Sequence, residues 1–215
     1  MARNPEKDRQ AEAQRKQQIL EVGFKLFSEQ GIEAVSMNAV AAAAGVCSTT
    51  LFNYYQTKEK LVVSISGMVW SKVWQEELNS VGPEAYAQMS AYEMNRHYTE
   101  CIIRIYQEQP DLLRFSSDYK TFICRQHAKL EDLKEHLDPL HPIQEHFHHA
   151  YLRAQTDHSI RTDISEEVLF TAIAVSMLAT AERYAQGIVW ADRGVEDHTQ
   201  ELRIAQDALL SWLKD

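Results

Sequence analysis

An all-α chain is what this sequence predicts, and three observations predict it. Glycine (7) and proline (5) are scarce among 215 residues, whereas sheets need turn residues at short intervals and helices do not. Apolar residues recur at helical spacing through long segments. A content of 45% hydrophobic and 25% charged residues suffices for one large or two modest cores.

The elements follow in order. From Arg9 to Gln30, Ile19, Leu20, Phe24 and Phe27 form an apolar stripe widened by Val22 and Leu26, and Gly31 ends the helix. Ser36 supplies a hydroxyl cap for a short alanine helix, "MNAVAAAAG", which Gly45 stops. "CSTTLFNYY" opens with small polar residues that can cap a third short helix, with Leu51 and Tyr55 on one of its faces. Gln56-Thr57 breaks it, and a fourth helix runs through Leu61, Ile65, Met68 and Val69 toward Trp74. Pro83 suits the first turn of a long helix reaching about Gln109. Helices at about 111–136 and 143–156 follow, then two more at about 165–190 and 196–213, giving about nine helices or more.

Composition excludes several classes. The longest uncharged stretch, "VLFTAIAVSMLATA", is shorter than the roughly 20 apolar residues that span a bilayer. The polar start "MARNPEKDRQAEAQRKQQ" has no apolar signal region, so a cytoplasmic protein without membrane association is expected. Cys47, Cys101 and Cys124 are odd in number and lack metal-ligand spacing, which argues for reduced thiols and against a disulfide framework or zinc site. The net charge of −9 speaks against nucleic acid, but it is unevenly spread. Residues 1–60 carry eight basic and seven acidic groups, and the remainder 14 and 24, so only the N-terminal part can approach an anion.

Two short helices joined at Gly45-Val46, with a supporting helix before them, fit the helix-turn-helix plan, whose second helix enters the major groove. Small residues at that helix's N-terminus let it approach the bases, and its free amides can meet phosphate. Ser48, Thr49, Thr50 and Asn53 can hydrogen-bond to DNA, Tyr54 offers a phenol to phosphate, and Lys58 a cation. Arg3, Lys7 and Arg9 on the N-terminal arm are candidates for minor-groove contact, or belong to a solvated, frayed extension.

"SMNAVAAAAGVCSTTLFNYYQTKEKLV" resembles the helix-turn-helix of TetR-type (tetracycline repressor family) regulators, and "ILEVGFKLFSEQGIEAVS" resembles that family's first helix and turn. The resemblance covers the first quarter to third of the chain. It implies a three-helix DNA-binding domain at 1–60 and a larger helical effector-binding and dimerisation domain at 61–215. It places Ser36 and Asn38 near phosphate and Ser48, Thr49 and Thr50 in the groove, with Phe52, Asn53, Tyr54 and Lys58 at positions that commonly touch DNA. Cys47 and Phe52 depart from the family pattern, which often has Ser and Tyr there. The implied activity is ligand-responsive transcriptional regulation, as a repressor that a small-molecule effector releases from double-stranded operator DNA. The implied assembly is a homodimer, with no enzymatic activity and no cofactor.

Beyond the motif, stripes of Trp70 and Trp74, of Tyr92, Asn95, Thr99, Ile102 and Tyr106, and of Tyr119, Phe122, Ile123 and Gln126 suit either core packing or an apolar ligand pocket. Met177 on the penultimate helix joins the pocket candidates. Residues 168–181 are apolar almost all round, so that helix needs cover on more than one side, and a second copy of the chain can supply it. Phe170, Ala174, Leu178, Tyr184, Ile188, Leu202, Leu209 and Trp212 are the candidate interface residues.

Two sharper alternatives remain. Cys47 at a helix start is either a redox-sensitive thiol or a small residue tolerated there. Segment 136–158 holds six of nine histidines (His136, His141, His146, His148, His149 and His158), with Glu145 and His149 at i, i+4 spacing. It suits either an all-α enzyme or metal-binding protein or, since its histidines spread over several faces, a solvated surface helix. A helical protein-binding module is the third reading.

Overall fold

The computed structural model describes residues 5–126, 141–187, 189 and 196–214. The described residues form ten helices and no strand: α1 Pro5–Gln30, α2 Met37–Ala43, α3 Ser48–Tyr55, α4 Lys58–Ser80, α5 Pro83–Gln88, α6 Ala91–Glu108, α7 Pro110–Arg125, α8 His141–Asp157, α9 Glu166–Ala185 and α10 Thr199–Lys214. They group into two compact units, Met1–Trp70 with Asp118–Asp138, and Ser71–Ser117 with Pro139–Asp215.

The first unit is built by its caps and a small core. Gly31 ends α1 at φ 84° and Gly45 ends α2 at φ 66°, left-handed conformations that glycine adopts without a Cβ penalty. The Ser36 hydroxyl accepts from the Ala39 amide at 3.1 Å, as an N-cap should. Ile19, Phe27, Ile32, Val40, Leu51, Leu61 and Ile65 are fully buried or nearly so. Asp118 of α7 closes the turn after α1, its Oδ2 accepting from the Ile32 amide at 2.5 Å.

In the second unit α6 is the central helix, packed by α8, α9 and α10. The long helix expected from Pro83 to about Gln109 is instead broken at Met89-Ser90. Ser90 and Glu93 form a complete capping box, and this restart separates α5 from α6. The helix expected to reach 136 ends at Arg125 with Gln126 in a turn, and 127–136 lie outside the described residues. Helix α9 contains a π-helical turn at Thr171–Val175 and ends before Gly187, at φ 81°. Among the described residues α9 alone is long and apolar enough to cross a membrane. Its buried Glu182 accepts from the Ser116 hydroxyl at 2.7 Å, which ties it into the unit's own core.

Candidate nucleic-acid interface and effector region

Helix α3 is fastened by its inner face. Leu51 is fully buried, and Tyr55, also buried, reaches the Lys16 carbonyl at 3.4 Å, burial pushing its phenol up to about 12. The opposite face is open: Thr49, Phe52 and Asn53 are exposed, Ser48, Thr50 and Tyr54 half-buried. Asn38 on α2 and Ser36 at its cap are exposed as well. Phe52 is a large apolar residue left 43% exposed on this face.

Two basic groups of α1 meet Tyr54 of α3. Arg15 Nη1 donates to the Tyr54 hydroxyl at 3.3 Å, and Lys16 Nζ lies 5.1 Å from the Tyr54 ring centroid. Sequence reasoning counted Arg15 and Lys16 only as charge; their spacing within one helix gave no sign that a distant tyrosine would gather them. Lys58 is less available than its position suggested. Its ammonium donates to the Glu33 carbonyl at 3.2 Å and lies over Phe122, and partial burial lowers its pKa. A phosphate contact therefore requires a new rotamer.

Cys47 is the N-cap of α3 but makes no cap hydrogen bond through its side chain. Its sulfur lies 3.0 Å from Thr50 Oγ1. The Thr50 hydroxyl, and behind it the first-turn amides of α3, hold this exposed thiol below its ordinary pKa.

The proposed pocket residues fall into both units. Trp70, Tyr119, Ile123 and Gln126 belong to the first, the rest to the second. Asn95 and Thr99 are buried on α6, and Gln206 of α10 donates to Thr99 Oγ1 at 3.0 Å. Ile102 and Met177 are fully buried core residues. Tyr92 carries Lys214 over its ring at 4.1 Å. Trp74 does line a cavity, together with Glu77, His97, Tyr98, Cys101, Ile143 and His146; its volume is only ≈ 10 Å³, room for about one water. Wider surface grooves of the same unit have volumes of ≈ 430 Å³, beside Tyr86, Met94 and Arg153, and ≈ 330 Å³, beside Tyr106 and Tyr184.

The interface candidates sit mostly on inward faces. Leu202, Ala174 and Leu178 are buried within one chain, Phe170 packs edge-on to Phe147 at 5.2 Å, and Tyr184 stacks on His198 at 4.6 Å. Leu209 and Trp212 are half-buried, and Ile188 lies outside the described residues. The outward apolar residues are Val168 and Val175 of α9 and Ile204 of α10, at 53%, 43% and 61% exposure. An apolar helix covered on two sides gives a period but not its phase, so the sequence alone does not say which face of α9 its own chain covers.

The described histidines of segment 136–158 do not converge. His146 is buried, its Nδ1 2.8 Å from the Tyr86 hydroxyl and its Nε2 3.2 Å from the Met94 carbonyl, so both nitrogens are engaged within the protein. His148 pairs with Glu166 at 3.0 Å. His149 and His158 are exposed, and His136 and the side chain of His141 lie outside the described residues.

Comparison with known proteins agrees with this arrangement. Residues 19–65 match the family model described as bacterial regulatory proteins, tetR family. The chain is 25% identical to an HTH-type transcriptional regulator of Staphylococcus aureus over 164 residues, 76% of this chain and 80% of that protein. It is 38% identical to the HTH-type transcriptional repressor KstR of Mycobacterium tuberculosis over 64 residues, 30% of this chain and 29% of KstR. Its fold is shared with the fatty acid degradation regulator FadR of Bacillus halodurans (TM-score 0.65, 13% identity, covering 98% and 97% of the two chains). It is shared also with a TetR-family transcriptional regulator of Haemophilus influenzae (TM-score 0.63, 18% identity, covering 96% and 100%). Residues 19–65 are thus similar to the DNA-binding segment of the tetR family of bacterial regulatory proteins, and the chain shares its fold with TetR-family regulators.

Proposed function

We propose that this regulator is a homodimeric repressor that reads operator DNA with α3 and leaves it when a small molecule binds the second unit. The observation that carries the reading is the outer face of α3: Ser48, Thr49, Thr50 and Asn53 offer hydrogen bonds and Phe52 an apolar contact, while Arg15 and Lys16 supply positive charge at Tyr54. The exposed Val168, Val175 and Ile204 favour pairing of α9 and α10 with a second copy. Two reading heads must then match half-sites about 34–36 Å apart, a spacing that tolerates little change. Helix α4 is continuous from Lys58, two residues after α3, to Ser80, so displacement of its second half by an effector bears on the reading head. An organic effector larger than a water has to part Trp74, Tyr98 and Ile143, or use one of the wider grooves.

The test is titration of fluorescent duplexes from the DNA upstream of the chain's own gene, with and without a panel of hydrophobic small molecules. Two protomers per duplex and release by one compound class are expected. Binding as a monomer, or no selective binding to any duplex, would contradict the proposal.

A further inference from the structure

The geometry points to a site for a thiophilic divalent cation, Zn²⁺ foremost, formed by Glu77 of α4 with His97 and Cys101 of α6. One ligand atom from each of the three lies within 4.8 Å of the others. His97 and Cys101 are four residues apart and share a helix face, with Sγ 3.8 Å from His97 Nε2; Cys101 Sγ donates to Glu77 Oε2 at 2.9 Å. Thiolate, imidazole and carboxylate is a donor set suited to a borderline-soft ion, and small side-chain rotations bring the atoms to the roughly 2.0–2.3 Å bonds that zinc makes.

One further feature supports an ion there. The three side chains line the ≈ 10 Å³ cavity, which has room for an ion's water as fourth ligand and for no organic molecule. On binding, the Cys101 S–H bond breaks, an S–metal bond forms and the proton passes to solvent. Arg104, 2.6 Å from Glu77 Oε2 and 3.5 Å from Cys101 Sγ, opposes the cation by like charge and has to move aside. His146 lines the same cavity but is not a ligand, because both its nitrogens are already engaged.

The inference does not depend on DNA binding and is tested without DNA. The full chain carrying Cys47→Ser and Cys124→Ser retains Cys101 as its sole thiol. Titration with Co²⁺, then displacement by Zn²⁺, is expected to give one ion per chain and a thiolate-to-cobalt charge-transfer band. His97→Gln and Glu77→Gln are each expected to weaken Co²⁺ binding by about tenfold or more, with helix content checked by circular dichroism. His146→Gln is expected to leave the band in place. No charge-transfer band in the parent, or a band that persists at unchanged affinity in every folded Glu77 and His97 variant, would overturn the assignment.

Discussion

The Tyr86 hydroxyl on α5 lies 2.8 Å from Nδ1 of His146 on α8, while His146 Nε2 faces the Met94 carbonyl at 3.2 Å. A carbonyl can only accept, so Nε2 carries the proton and Nδ1 accepts from the phenol: the buried ring is neutral. Burial holds its pKa down at about 4, against an ordinary value near 6.5. The unfolded chain therefore takes up a proton that the folded chain refuses. Stability from this group is complete above about pH 6.5 and declines as the pH falls toward 4. Urea unfolding from pH 7.5 to 4.5 is expected to show that decline, and His146→Gln to flatten it.

Cys47 and Thr50 make a second measurable pair. With its pKa depressed, the Cys47 thiol forms thiolate at lower pH than a free cysteine does. In a chain carrying Cys101→Ser and Cys124→Ser, alkylation by iodoacetamide is expected to rise at a pH below the ordinary thiol value of about 8.5. Thr50→Val removes the leading cause and is expected to move that profile upward.

Asp118 holds the amide of Ile32, a fully buried residue in the turn after α1. Asp118→Ala leaves a partly buried donor unsatisfied, and thermal or denaturant unfolding is expected to show a loss of about 1–3 kcal/mol. Asp118→Asn keeps an acceptor oxygen and is expected to lose less than half as much.

The proposed pairing through the outward face of α9 and α10 can be tested by charge. Val175→Asp and Ile204→Asp place charges on exposed apolar positions without disturbing a buried side chain. Light scattering after size exclusion is expected to show monomers for the double variant and dimers for the parent, with helix content unchanged. Leu202→Ala is fully buried within one chain and is expected to lower stability by about 2–5 kcal/mol.

Much of this architecture could be read from the chain because local chemistry dictates it. Ser36, Gly31 and Gly45 punctuate the first unit through a hydroxyl cap and two left-handed turns, and each signal lies within a few residues of its effect. The break between α5 and α6 was equally local, since Ser90-Ala91-Tyr92-Glu93 is a capping-box sequence; Pro83 drew attention to an earlier start and hid it. The cavity was a different matter. His97 and Cys101 at i, i+4 spacing could have been paired, but Glu77 reaches them from another helix, and no periodicity reports which helices become neighbours. For the same reason Arg15 was legible as a positive charge and not as Tyr54's partner.

The most direct test of the central claim, that the outer face of α3 reads DNA, compares duplex affinity across a salt series for the parent, Thr50→Ala and Arg15→Gln. Loss of a base contact at Thr50 is expected to cost about 1–3 kcal/mol and reduce selectivity between operator and random duplex. Loss of the Arg15 charge at Tyr54 is expected to weaken binding to both duplexes and lower the salt slope by about 1. Parent-like affinity, selectivity and salt slope in both folded variants would contradict the assignment of α3 as the reading helix.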